Sequence, residues 1–162
     1  EICACLVGSE MCIRDSFNTV FLAFHSAQHY ALGFAMHHLC DWACLLKKQG
    51  LKIPEGVTDE RFLNMIYALT HLCNRYLGTE VLVMKGGEEL AENLLKEMLH
   101  PTYNINVPAT GKWGILVYKL KRMLHIHRLC DSVMRVSLVK WLWISVIQHV
   151  RFPQSIFRRT VS

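Results

Sequence analysis

Two apolar stretches separated by one glycine decide the fold of this sequence: FNTVFLAFHSAQHYAL at 17–32 and FAMHHLCDWACLLKKQ at 34–49. The first is apolar on nearly every side, which is typical of a helix buried in a core. The second ends in Lys47 and Lys48 before Gly50, and basic residues followed by glycine mark the carboxyl end of a helix. The two stretches predict a pair of antiparallel helices.

The rest of the sequence continues the helical pattern. Thr58 is the predicted N-cap of a third helix, because Asp59 and Glu60 follow it and carboxylates favour the first turn. Gly78 is the predicted stop of that helix. Neither strand alternation nor an internal repeat is visible. We therefore predict an all-α fold of five or six helices, at about 17–32, 34–49, 58–77, 88–99, 112–127 and 129–149.

Composition indicates one compact unit with an uneven charge. Of the 162 residues, 52% are hydrophobic and 19% are charged, which excludes a disordered chain. Residues 1–109 hold eight Lys/Arg and twelve acids, whereas residues 110–162 hold ten Lys/Arg and one acid. We divide the chain into a helical domain at 17–111 and basic C-terminal helices at 112–162. The basic third is either a solvated face or a surface for an anionic neighbour, such as nucleotide phosphate or acidic lipid.

The N-terminal residues stand apart from this pattern. CLVGSEMCIRDS at 5–16 resembles the translation of a sequencing adapter, and no helical period continues from it into Phe17. We expect residues 1–16 to be a non-native, disordered scar, with the natural sequence starting near Phe17. We do not expect them to be a secretory signal, because early Lys or Arg is missing and the apolar stretch at 2–7 is too short.

Four cysteines remain once that stretch is set aside, and all lie in apolar helical segments. This placement predicts small buried side chains in a reducing compartment instead of disulfides. We therefore expect a cytoplasmic protein. The four are Cys40, Cys44, Cys73 and Cys130.

The last predicted helix has a very apolar centre at 136–147. About twelve residues with Lys140 among them fall short of the ~20 that a membrane span needs, so we expect no transmembrane segment. The helix can pack in a core, or it can lie on a bilayer surface with its basic neighbours facing the lipid headgroups. Those neighbours are Arg135, Lys140, Arg151, Arg158 and Arg159.

Histidines and cysteines recur at a spacing that places side chains on one helix face. His25 and His29 are four residues apart, and so are Cys40 and Cys44. Two imidazoles and two thiolates could complete a tetrahedral zinc site, but the glutamate of the zinc-protease signature is missing. We favour the interpretation that these are buried side chains of a helical hairpin, and we predict no metal.

Catalytic motifs are missing from the sequence. It contains no glycine-rich phosphate loop, no Gly-Ser nucleophile elbow and no Asp-x-Asp pair that could hold Mg²⁺. Aromatic residues alternate with basic ones in the C-terminal third, but no known nucleic-acid module is recognisable. We therefore assign no catalytic residue and no specific nucleic-acid partner.

Residues 17–78 nevertheless resemble a known family. FNTVFLAFHSAQHY, LCDWACLLKK and NRYLG follow one another in the order and spacing of the helical C-terminal half of a bacterial family of uncharacterised nucleotidyltransferase-like proteins. The segment HPTYNINVPATGKWGILVYKLKRML extends the resemblance to about Leu124. The positions that match the family pattern are His25, His29, Asp41, Trp42 and Leu77-Gly78.

This resemblance implies that the chain is the helical portion of a larger α+β protein. In that superfamily a nucleoside triphosphate and Mg²⁺ are held by an N-terminal α/β domain, whose motifs this sequence lacks. The chain would then be a truncated nucleotidyltransferase, a substrate-side or scaffold half that is inactive alone and holds no cofactor itself. Its implied partners are the missing N-terminal catalytic domain and a nucleotide or small-molecule acceptor.

The matched positions include a predicted His-Asp cluster of His25, His29 and Asp41. In antiparallel helices, Asp41 would accept a hydrogen bond from either histidine and fix the helix register. Alternatively, the three side chains would face the missing domain and position its substrate. A different class of function also stays open, namely a helical interaction module whose basic third binds an acidic partner or a membrane surface.

Overall fold

The computed structural model describes residues 2–103 and 111–152. These residues form six helices and no strand, which confirms the all-α prediction. That the chain is part of a larger α+β protein stays a prediction. The helices are α1 Ile2–Gly33, α2 Met36–Gln49, α3 Glu60–Leu77, α4 Glu88–Leu99, α5 Lys112–Val133 and α6 Leu138–Arg151.

Helix α1 begins well before the predicted boundary. Its backbone is helical from Ile2 through Gly33, so residues 2–16 continue a helix that the sequence predicts only from Phe17. These residues contain no proline and include good helix formers such as leucine, methionine and glutamate, which lets the helix propagate upstream. That they are a non-native scar stays a prediction.

Helix α3 is capped by Asp59, and the predicted cap at Thr58 is wrong. The Asp59 carboxylate accepts hydrogen bonds from the backbone N–H groups of Arg61 and Phe62, at 2.9 and 3.3 Å. These two amides have no partner within the helix, which is why a side-chain acceptor there stabilises the helix start. The predicted stop at Gly78 is confirmed, with φ of 60° in the left-handed region.

The break between the last two helices lies later than predicted. Helix α5 continues to Val133, and α6 begins at Leu138. The Nε2 atom of His127 lies 3.1 Å from the carbonyl oxygen of Val136, and its ring lies 5.6 Å from that of Trp141. These contacts hold the start of α6 against the end of α5.

The centre of the core lies between α2 and α3. Trp42 is fully buried and donates a hydrogen bond from Nε1 to Oγ1 of Thr70 at 3.1 Å, and Thr70 donates to the carbonyl oxygen of Ile66 at 2.9 Å. Helices α1, α4 and α5 also pack against α3. The large apolar side chains buried at this centre are Leu39, Trp42, Met65, Ile66, Leu69, Leu72 and Leu94.

The start of α4 approaches the backbone of α3 closely. Gly87 has φ of 82°, and a Cβ atom there would lie 2.7 Å from the backbone nitrogen of Ala68 and 2.9 Å from the carbonyl oxygen of Asn64. Both the positive φ and the short approach favour glycine, which has no Cβ. The first turn of α4 is therefore fixed directly against the middle of α3.

Candidate functional site

Three histidines meet where α1 and α2 face each other. His25 and His29 lie one turn apart on α1, with ring centroids 4.6 Å apart. The ring of His38, from α2, lies 5.4 Å from that of His25 and 4.6 Å from that of His29. One nitrogen from each of the three rings lies within 4.8 Å of the other two. We call these three residues the histidine cluster.

His38 is the most enclosed member of the cluster, with 2% of its surface exposed. Its Nδ1 atom lies 3.2 Å from the carbonyl oxygen and 3.1 Å from the backbone nitrogen of Ala35, the N-cap of α2. When Nδ1 carries the proton, it donates to that carbonyl; in the other neutral tautomer Nδ1 accepts from the backbone N–H of Ala35 and Nε2 carries the proton. The Nε2 atom is buried and has no hydrogen-bond partner in the described part of the chain. The backbone therefore orients this ring and leaves one nitrogen available.

Burial favours the neutral form of two of these imidazoles. It lowers the pKa of His38 below the usual 6.5; the hydrogen bond to Ala35 opposes this effect, and repulsion from His37, His29 and His25 adds to it. Burial also lowers the pKa of His29, again with repulsion from His25 and His37. A neutral imidazole carries the lone pair that a metal ion or a proton donor needs.

Asp41 does not join the histidine cluster. Its side chain is exposed about one turn beyond His38, and among the described residues it makes no hydrogen bond or ion pair with His25 or His29. The expected His-Asp contact is thus replaced by a contact between histidines. His38 could have been found from sequence, because it and His29 stand four or five residues on either side of Gly33 and a hairpin brings such positions together. A role for Asp41 toward substrate stays a prediction.

The cysteines are distributed differently from the prediction. Cys73 is buried and Cys130 is half-buried, but Cys40 and Cys44 are exposed. Neither exposed thiol belongs to the histidine cluster, so the structure does not assemble the mixed set of two imidazoles and two thiolates. The prediction of burial is wrong for this pair because α2 turns Trp42 toward the core and leaves both cysteines on the solvent side.

A second candidate surface lies on α6. Apolar residues spaced by three and four positions share a helix face, and here that face is exposed: Trp143 is 66% and Val150 is 77% accessible. Lys140 and Arg151 are also exposed, and a separation of eleven residues places them on nearly the same side of the helix. We call the apolar face the α6 stripe; it consists of Val139, Trp143, Val146, Ile147 and Val150.

An open cleft of about 370 Å³ lies between α3 and α4. Its charged groups are engaged with each other: Arg75 pairs with Glu92, and Nε2 of His71 lies 3.0 Å from the carbonyl oxygen of Gly86 and 3.8 Å from Glu88. Since anions bind best where several cations converge, this mixture of charges makes the cleft a poor phosphate site.

Across residues 2–103 and 111–152, no helix combines the length and the apolar character that crossing a membrane requires. No family model, no curated protein and no solved structure matches the chain.

Proposed function

We propose that this chain is a helical module that docks onto anionic membrane surfaces through α6, as a cytoplasmic protein peripheral to the membrane. The observation that carries the proposal is the exposed α6 stripe, flanked by two cations on a helix whose sequence contains no acid. This function develops the interaction-module alternative that the charge pattern leaves open.

The α6 stripe has the properties of a helix that lies in a membrane interface. Such a helix places its apolar face at the boundary of the acyl chains and its basic side chains among the headgroups. Trp143 stands in the middle of the stripe, and tryptophan favours this boundary. Trp141 lies on the opposite side of α6 and is half-buried, and Leu142, at the edge of the stripe, is half-buried as well. Helix α6 can therefore contact the protein and a bilayer at the same time.

The charge around α6 favours an anionic bilayer over other apolar partners. Arg135 is exposed just before the helix, and the sequence contains no acid after Asp131. Each Lys or Arg held near an anionic surface contributes about 1 kcal/mol of binding free energy. The pair Lys140 and Arg151 should therefore contribute about 2 kcal/mol, or roughly a thirtyfold change in partition coefficient.

Cosedimentation of the 162-residue chain with lipid vesicles tests the charge requirement. We expect binding to vesicles that contain phosphatidylserine, and much weaker binding to phosphatidylcholine alone. Salt should weaken the binding, because exposed charges are screened over about 8 Å at physiological ionic strength. The double variant K140Q/R151Q should lower the partition coefficient about thirtyfold. Its matched control, K47Q/K48Q, removes the same charge from the exposed end of α2 and should have little effect.

The apolar requirement is tested by a second pair of variants. Trp143→Ser removes the central side chain of the stripe and should weaken binding about tenfold, since burying a large apolar side chain contributes about 1.5 kcal/mol or more. Leu82→Ser removes a leucine that is 96% exposed outside α6 and should leave binding unchanged. Equal affinity for neutral and anionic vesicles, or equal losses in the test and control variants, would contradict the proposal.

A second candidate rests on the resemblance of residues 17–124 to nucleotidyltransferase-like proteins. We propose that the chain is the helical, substrate-side or scaffold half of such an enzyme, with Mg²⁺ and a nucleoside triphosphate held by an N-terminal domain. In support, α3 ends at Leu77-Gly78, where the resemblance places the end of the third helix. The 162-residue chain should then show no Mg²⁺-dependent transfer or hydrolysis of nucleoside triphosphates above a buffer blank. Turnover that is lost on substituting Asp41, Asp59 or Asp131 would contradict this candidate.

A further inference from the structure

We propose that His25, His29 and His38 bind one divalent transition-metal ion of the Zn²⁺ class. Imidazole nitrogen is a preferred ligand of zinc, copper and nickel. Three histidines with a fourth position open to water or a small anion form one of the known zinc ligand sets. This site is independent of the α6 stripe, because its ligands come from α1 and α2 only.

The helices place the three ligands without help from a loop. His25 and His29 are related by one turn of α1, so their separation is fixed by the helix geometry. The third ligand, His38, lies in the first turn of α2, immediately after the two-residue link at 34–35. Ligands on regular elements are held more firmly than ligands on loops.

The state of His38 favours a metal over simple packing. Its Nε2 atom is buried without a hydrogen-bond partner among the described residues, which is unfavourable for a polar atom. A bound ion would accept the lone pair of this atom. Meanwhile Nδ1–H would donate to the carbonyl oxygen of Ala35, 3.2 Å away, which is the outer contact that ligating histidines commonly make.

The distances between the nitrogens are compatible with coordination after a small movement. Metal–nitrogen bonds of about 2.0–2.1 Å at tetrahedral angles require nitrogens about 3.3 Å apart. The three nitrogens of the cluster already lie within 4.8 Å of one another. His25 and His29 are only half-buried, so rotation of their side chains can close the remaining distance.

Titration of the apo chain with Zn²⁺ and Co²⁺ tests this site. We expect one ion per chain and a visible Co²⁺ spectrum typical of nitrogen ligands in a tetrahedral site. His25→Ala and His29→Ala should each weaken Zn²⁺ binding by at least about tenfold, and both residues are accessible enough that the fold should survive. Circular dichroism checks that the helices of each variant remain.

Two controls separate this site from other metal-binding groups. His100→Ala removes an exposed histidine at the end of α4, outside the cluster, and it should leave affinity unchanged. The variant C40S/C44S removes the exposed thiols and should also bind normally. The proposal would be overturned if the chain bound no metal, or if the His25 and His29 variants bound it as tightly as the wild type. It would also be overturned if thiol alkylation abolished binding and the Co²⁺ spectrum showed a sulfur–Co²⁺ charge-transfer band.

Discussion

Replacing Thr70 by valine should destabilise the fold by about 1–2 kcal/mol, although the change is a single hydroxyl to a methyl group. Both Thr70 and Trp42 are completely buried, and the Thr70 hydroxyl is the acceptor for the indole N–H of Trp42 at 3.1 Å. Valine removes that acceptor and leaves a buried donor without a partner, which costs about 1–3 kcal/mol. The apolar methyl group offsets part of this loss. Helix propensity changes little, because threonine and valine rank similarly.

Urea and thermal denaturation, followed by tryptophan fluorescence and circular dichroism, measure the free energy of unfolding and the Tm. For a chain of this size, 1 kcal/mol corresponds to a change in Tm of about 2–4 °C, so we expect Thr70→Val to lower the Tm by about 2–8 °C. The matched control is Thr58→Val, since Thr58 is exposed and does not cap α3. That substitution should stay within about 0.5 kcal/mol of the wild type.

The double variant W42F/T70V distinguishes a hydrogen bond from a packing effect. Phenylalanine has no indole N–H, so Thr70→Val should cost less in the Trp42→Phe background than in the wild type. The expected coupling free energy is about 1 kcal/mol. A Thr70→Val variant as stable as the wild type, or equal costs in both backgrounds, would refute the hydrogen-bond argument.

Five further variants test single features of the fold by the same denaturation assay. Asp59→Ala should cost about 1 kcal/mol, because α3 loses its N-cap. Gly87→Ala should destabilise by more than 1 kcal/mol because its Cβ would meet the α3 backbone, whereas Gly56→Ala meets open space and should be close to neutral. Asp41→Ala should change stability by less than about 0.5 kcal/mol, because its side chain is exposed and unpaired with the histidine cluster. Burial raises the pKa of the Cys73 thiol from 9.0 to about 12, so its contribution is complete below pH 9 and is lost as the pH rises through 12. Cys73→Ala should therefore reduce the fall in stability over that window.

The middle helices could be predicted from sequence because local signals agree there. Helix α4 has the predicted bounds, and α2 and α3 end at the predicted glycines, Gly50 and Gly78. At the ends of α2 and α3 the periodic apolar pattern stops at a glycine with a positive φ. Glycine's preference for helix ends and the apolar pattern therefore predict the same boundary. At the start of α1 the two signals disagree, because the residues before Phe17 have the composition of a helix but show no periodic apolar face.

Contacts between helices could not be derived in the same way. The Trp42–Thr70 hydrogen bond joins residues 28 positions apart, and neither residue carries a local signal for the other. His38, the third member of the histidine cluster, could be recognised only by way of the predicted hairpin, because no local motif links it to His25 and His29. The exposure of the α6 stripe also depends on tertiary structure, because the same apolar helical pattern occurs in helices that are buried in a core and in helices on a surface.

Helix α6 depends on its surroundings more than the helices of the core do. It has fourteen residues, close to the length at which an isolated helix is only marginally stable in water. Among the α6 side chains that the structure describes, Trp141 and Leu142 are half-buried, so packing supports part of the helix while the α6 stripe stays in water. A bilayer would remove that stripe from water and supply the missing hydrophobic stabilisation. The histidine cluster lies in the α1–α2 hairpin instead, so loss of membrane binding would leave the metal proposal intact, and the reverse also holds.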